Sequence, residues 1–279
     1  MTLSFRYLLK IRKMSKVVLI TGASSGIGRA IASYLHEKSY VVYGTSRNPK
    51  GGEFPFAMVA LDVTKKETIT TAVAEVIAKE GRIDVLVNNA GKGITGPIED
   101  TPTDEMRSNF ETNFFGAIDV IKAVLPAMRK QGSGVVVNVT SIAGYMGLPF
   151  RGIYSASKGA FELVTEALSM EVKPFGIRVV SVAPGDFATN IAAGRYHTPV
   201  FEDSAYKKVY RENLDLMDAH VDEGADPKMM AAAIHEVITK KSGKIHYKVG
   251  GFMEKFSIVL KRILPDRLYE KLLMNHYNL

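Results

Sequence analysis

No cysteine occurs among the 279 residues. That absence excludes disulfides, thiolate nucleophiles and cysteine-bound metals, and it fits a reducing, cytoplasmic setting. Histidine is sparse and scattered: His36, His197, His220, His235, His246 and His276 include no pair at the i, i+4 spacing of a helical metal site, so no metal is expected. Long apolar runs are missing from the opening MTLSFRYLLKIRKMS, where no run exceeds three residues and charges break up the rest. This speaks against a signal peptide or a membrane span. Residues 1–15 therefore read as a basic arm, as residues ahead of a true start at Met14, or as a short segment lying on a membrane surface.

A basic body is missing too. The net charge is +7, but residues 1–16 hold five Lys/Arg and no acid, and residues 244–279 hold seven against three, which leaves −2 for everything between. The ends are basic and the middle is not, so no footprint for a nucleic acid is expected. No repeat, low-complexity block or Pro/Gly linker divides the chain, and a single domain is expected.

What is present is a recurrence of short β-branched runs: 17–21, 41–45, 57–61, 83–87, 135–140, 177–183 and 244–249. The first, fourth, fifth and sixth are apolar on successive residues, as strands buried on both faces are. Helical patterns separate them. The helix around SASKGAFELVTEALSMEV places Ala156, Ala160, Leu163, Ala167 and Met170 on one stripe and Glu162, Glu166 and Ser169 on the opposite face. Asp226 followed by Pro227 reads as a helix start. The alternation predicts an α/β fold: a doubly wound Rossmann-type sheet of seven parallel strands with helices on both faces. Residues 186–223 and 251–279 interrupt the alternation, and the first of these is expected to bind substrate, since it follows the carboxyl end of a strand.

Between the first strand and its helix lies TGASSGIG, residues 21–28. A strand–glycine–helix junction aims free N–H groups and the positive end of a helix dipole at one point, where a pyrophosphate is stabilised. Gly22 permits the tight turn, Gly26 the approach of backbone to ligand, and Gly28 close packing of the helix. After the second strand stand Ser46 and Arg47, with no acid. An acid there would take the ribose 2′-hydroxyl of NAD(H), whereas an arginine accommodates the 2′-phosphate of NADP(H), so NADP(H) is expected. Tyr154 and Lys158 share a helix face at i, i+4, and an ammonium beside a phenol favours the phenolate. Ser141 follows the fifth strand and emerges at the sheet edge that carries the glycines, placed to donate to a carbonyl oxygen.

Taken together these motifs resemble the short-chain dehydrogenase/reductase family over about residues 16–250. TGASSGIG is similar to the family's cofactor loop, which implies Gly22, Ser24, Ser25, Gly26, Ile27 and Gly28 at the dinucleotide. LDVT at 61–64 implies adenine contacts from Asp62 and Val63, and NNAG at 88–91 implies that Asn89, Ala90 and Gly91 line the cofactor. YSASK with Ser141 matches the catalytic Ser–Tyr–Lys set, with Tyr154 and Lys158 also touching the cofactor. Asn113 resembles the helical asparagine that holds a water linking the lysine to solvent. PGDFAT at 184–189 resembles the nicotinamide-binding turn, which implies Pro184, Gly185 and Thr189.

Within the family the nearest likeness is to the 17β-hydroxysteroid and retinol dehydrogenase-like branch, carried by VYGTSRNP, the long segment after the sixth strand and the tail KRILPDRLYEKLL. The likeness implies an oxidoreductase interconverting a ketone or aldehyde with an alcohol on a bulky apolar, steroid- or retinoid-like substrate, in a homodimer or homotetramer. A 3-oxoacyl thioester reductase and a non-catalytic dinucleotide sensor are the alternatives. The basic tail reads as packing on its own domain, as a lid, as a dimer contact, or as a peripheral membrane contact.

Overall fold

The computed structural model describes residues 15–187, 194–222, 224–240 and 243–279. Seven parallel strands form one sheet: β1 (Val17–Ile20), β2 (Val41–Ser46), β3 (Ala57–Ala60), β4 (Val85–Asn88), β5 (Gly134–Val139), β6 (Ile177–Pro184) and β7 (His246–Val249), in the order 3-2-1-4-5-6-7. The order reverses between β1 and β4. That switch point opens a crevice beyond their carboxyl ends, the place where open α/β sheets hold ligands.

Alternation along β1 explains the two helical layers. Val17 and Leu19 point into one core with Ile69, Val76, Ile121, Val124 and Phe161, while Val18 and Ile20 point into the other with Ile31, Leu35, Met230 and Ile234. Helices α1 (Gly26–Glu37) and α7 (Pro227–Thr239) cover the second face; α2 (Lys66–Glu80), α4 (Gly116–Gln131) and α5 (Gly152–Glu171) cover the first. Each fully buried Val, Leu or Ile contributes about 1.5–3 kcal/mol, so a sheet apolar on both faces needs both layers. Helix α7 begins as expected, with the Asp226 carboxylate accepting from the Lys228 amide and Pro227 at the first position.

The seven expected strands are the seven observed, with shifted edges. The fourth starts at Val85 rather than residue 83, because the buried Asp84 carboxylate accepts from the Val17 amide at 2.8 Å and is paired with Arg82. Two elements were not anticipated. Ile94–Thr95 and Tyr196–His197 form a separate two-strand parallel pair, which ties the segment after β6 to the loop after β4. The remaining helices are α3 (Thr103–Phe110), which continues through a π turn at Glu111–Phe115 into α4, then α6 (Lys207–Asp222), and a tail of α8 (Phe252–Ile263) and α9 (Asp266–His276).

The expected stripe on α5 lies mostly outside the core, and of the opposite face Glu162 is buried while Glu166 stays exposed. Its buried residues are Tyr154, Ser155, Ser157, Lys158, Phe161, Glu162 and Thr165, whereas Leu163 and Met170 are 67% and 68% exposed and Ala156 and Ala167 face solvent. The buried face mixes polar groups with Phe161, and the outer face carries Leu163 and Met170 beside Glu166.

Candidate active site

The glycine turn is built by close approach. Gly22 has φ +67° and Gly26 φ +52°, both in the left-handed region where other residues are strained. A Cβ on Gly28 would lie 2.1 Å from the Gly22 carbonyl oxygen and 2.4 Å from Asn89 Nδ2. The strap after β4 is sewn onto this turn: the Asn89 and Ala90 amides donate to Thr21 Oγ1, and Asn89 Nδ2 donates to the carbonyls of Thr21 and Gly22, all at 3.0 Å. Asn89 is thus a support of the turn, and Thr21, which sequence reasoning passed over, is its anchor.

Helix α1 starts here with Ser25 as N-cap, no side-chain cap and no acid in its first turn, and Ser24 and Ser25 are exposed. With no acid in that first turn to take up the leading N–H groups, the helix start suits a pyrophosphate. At the carboxyl end of β2 the Ser46 hydroxyl is buried and has no hydrogen-bond partner among the described residues. The neighbouring Arg47 lies close enough for its charge to act on Asp62. Burial raises the Asp62 carboxyl, but the Thr64 amide and hydroxyl and the Lys65 and Arg47 cations together hold it below the usual carboxylate range. An orphaned hydroxyl beside an arginine is a fit for a 2′-phosphate, and Asp62 and Val63 stand next to it after β3. These residues therefore fit a nicotinamide dinucleotide, from Gly22 to Gly28 at its phosphates and Ser46 and Arg47 at its ribose.

At the other end of the crevice, one pocket is lined by Ile27, Ser141, Tyr154, Pro184, Gly185 and Phe187, with Arg151, Arg195 and Asp186 on its walls. Ser141 is extended (φ −166°) and starts a short 3-10 turn, its Oγ accepting from the Ala143 amide at 3.2 Å. Its own proton is therefore left to donate outward. Tyr154 is 8% exposed and Lys158 5%. The Lys158 ammonium donates to the Val139 carbonyl at 3.1 Å and sits 6.0 Å from the Tyr154 ring centroid; the Arg151 guanidinium is 5.3 Å from the same ring. Burial pushes the lysine below its ordinary range, against the opposing influence of the Tyr154 and Glu162 charges.

Asn113 lies in the π turn and is buried. Its Oδ1 accepts from the Lys92 amide at 2.8 Å, and its Nδ2 donates to the Lys92 carbonyl at 2.9 Å. The side chain is occupied by protein groups, so a water linking Lys158 to solvent, the role the resemblance implies, would fall to the backbone of this turn. Gly91 makes the contact possible, since a Cβ there would lie 3.1 Å from Asn113 Oδ1 and 3.5 Å from Lys158 Nζ. Thr189 lies outside the described residues.

The sequence pattern places Glu162 on the outer face of α5, but it is buried behind the lysine. Glu162, one turn beyond Lys158, accepts from Thr140 Oγ1 and from Ser181 Oγ at 2.6 Å, and lies 2.7 Å from His246 Nδ1, whose Nε2 is 2.8 Å from Glu166. The i, i+4 rule that joins Tyr154 to Lys158 also reaches Glu162, and that was the available signal. Glu254 of α8 is a second omission. It accepts from the amides of Asp186 (2.6 Å) and Gly251 (2.5 Å), and a Cβ on Gly185 would meet its carboxylate at 2.3 Å. The tail thus buttresses the Pro184–Asp186 turn.

The family model for short chain dehydrogenase matches residues 16–199. The chain is 39% identical over 263 residues to a 3-ketodihydrosphingosine reductase of Bacteroides thetaiotaomicron, covering 94% of this chain and 98% of that protein. Among solved structures, a short-chain dehydrogenase from Streptomyces avermitilis superposes with TM-score 0.80 at 35% identity, over 95% of this chain and 96% of that one. A short chain dehydrogenase from Burkholderia cenocepacia, solved in complex with NADP, superposes with TM-score 0.73 at 25% identity, over 94% and 99%.

Proposed function

Because this chain belongs to the short-chain dehydrogenase family, we propose that it is an NADP(H)-dependent oxidoreductase that reduces the ketone of a long-chain amphipathic lipid, with a 3-keto sphingoid base as the preferred substrate class. One observation carries the reaction: Ser141 and Tyr154 share a pocket wall with Ile27 of the glycine turn and with Pro184–Gly185, and Lys158 lies buried behind Tyr154. A nicotinamide bound there would supply or accept the hydride at the carbonyl carbon. Ser141 Oγ donates to the carbonyl oxygen and Tyr154 delivers the proton to it. Lys158 lowers the cost of the phenolate that results. The alternative of a sensor without turnover is disfavoured by the retention of Ser141, Tyr154 and Lys158 together.

The preference for NADP(H) is supported by Arg47, the unpartnered Ser46 hydroxyl and the NADP-bound Burkholderia structure. The expected steroid- or retinoid-like substrate gives way to a lipid with a polar head. The similar Bacteroides protein carries a sphingoid-type name, and a pocket bearing Arg151, Arg195 and Asp186 suits a carbonyl beside polar groups better than an all-apolar ring system. We further propose a homodimer or homotetramer assembled through the apolar outer face of α5.

The test is loss of nicotinamide absorbance with NADPH against 3-ketodihydrosphingosine, a steroid ketone, retinal and a 3-oxoacyl thioester. Turnover led by the long-chain ketone supports the reading; turnover led by the steroid, retinal or the thioester replaces the substrate class.

A further inference from the structure

Helix α8 carries apolar residues on two opposite faces. Inward, Ile258 is 1% exposed and packs with Ile142, Met146, Ala183 and Tyr269 of α9. Outward, Phe252, Phe256, Val259 and Ile263 are 75%, 38%, 45% and 67% exposed. Their 4-3-4 spacing places all four within a stripe about 60° wide. The rings of Phe252 and Phe256 stack at 5.7 Å between centroids. Helix α9 repeats the pattern more briefly with Leu268 and Leu272 exposed. A stripe of this kind is not needed for folding, since the helix already buries its other face.

Charge says what covers it. Lys255 and Arg262 are exposed and flank the α8 stripe, while Arg267 and Lys271 lie exposed on α9. The three acids of the segment are engaged: Glu254 accepts from backbone amides, Asp266 lies 3.3 Å from Lys261, and Glu270 pairs with Arg267 at 2.9 Å. A two-fold contact between copies through this stripe would set the Lys255 and Arg262 rows against each other, like charge on like. An anionic bilayer takes both parts of the pattern, the apolar stripe below the headgroups and the cations among them. Among the described residues no helix is long and apolar enough to cross a membrane, so the contact is one of surface.

We propose that α8 and α9 dock the protein on an anionic membrane surface by this stripe, setting the mouth of the active-site pocket beside the lipid. The link to the pocket is structural. Glu254 on the inner side of α8 holds the Pro184–Asp186 turn, and Tyr277, just past α9, lies close enough to Arg151 and Asp186 for both charges to act on its phenol. The Tyr277 backbone carbonyl accepts from the buried Asn213 of α6 at 2.9 Å. The inner face of the tail packs on Ile142, Met146 and Ala183 beside the site while the outer face meets the bilayer. Delivery of a lipid ketone from that bilayer rests on the function proposed above; the docking itself does not.

The test is cosedimentation of the full chain with vesicles of phosphatidylcholine alone or with phosphatidylglycerol added. Binding should require the anionic lipid and weaken with salt. The double variants Phe252→Ser/Phe256→Ser and Lys255→Glu/Arg262→Glu should each lower vesicle partitioning about tenfold or more while NADPH binding and Tm stay at the wild-type values. A wild-type chain left in the supernatant, or variants that partition as the wild type does, overturns the proposal. So does a fall in oligomer mass for the Phe252→Ser/Phe256→Ser variant without vesicle binding, which would make the stripe a contact between copies. No turnover enters these readouts, so failure of the docking and failure of the proposed reaction are separately visible.

Discussion

Glu162 illustrates how a residue's meaning depends on the face it occupies. It lies one helical turn past Lys158, buried, with two hydroxyls and His246 around it. Its negative charge raises the Lys158 ammonium that burial depresses. In Glu162→Gln that support is lost, so Lys158 falls further and sheds its proton at lower pH. The alkaline limb of the kcat profile should therefore move to lower pH, while NADPH affinity changes little. A profile whose alkaline limb stays in place would reduce Glu162 to a packing role. Arg47 is the second residue-scale test. If it reads the 2′-phosphate, Arg47→Ala weakens NADPH by about 1.5–3 kcal/mol and leaves NADH unchanged in a fluorescence titration; equal loss for both cofactors refutes the assignment. Tyr154, Lys158 and Ser141 were legible in the sequence because a helical spacing and a strand end fix their positions locally. Glu254 and Thr21 were not, because their partners lie across the fold, and Glu162 carried only its helical spacing from Lys158.

At the scale of elements, periodicity located the helices and strands but misjudged α5. A stripe of Ala156, Ala160, Leu163, Ala167 and Met170 looks like a core face, yet the side that meets the sheet carries Ser157, Lys158, Glu162 and Thr165 beside Phe161. An exposed apolar stripe on a helix marks a contact. If the proposed oligomer assembles through this face, Leu163→Asp should lower its mass in light scattering and leave Tm within a few degrees, as expected of a surface change in an isolated chain. A mass equal to that of the wild type would remove α5 from the interface. The π turn at Glu111–Phe115 had no sequence signal; it is fixed by Asn113 gripping the Lys92 backbone.

For the whole molecule, the strand order 3-2-1-4-5-6-7 brings the ends of β1, β4, β5 and β6 to one edge, so that four separate sequence motifs meet around a single crevice. That convergence follows from alternating strands and helices, which is why the fold could be read in advance. The Ile94–Thr95 with Tyr196–His197 pair and the packing of the tail could not, since each depends on contacts between segments distant in the chain. The central claim is that this edge transfers a proton and a hydride to a carbonyl, and it is tested most directly by comparing Tyr154→Phe with the wild type in NADPH-dependent reduction of 3-ketodihydrosphingosine, with NADPH binding measured in parallel. The account predicts a loss of turnover of about 10²–10⁴-fold with NADPH binding retained. Turnover within a fewfold of the wild type would contradict it.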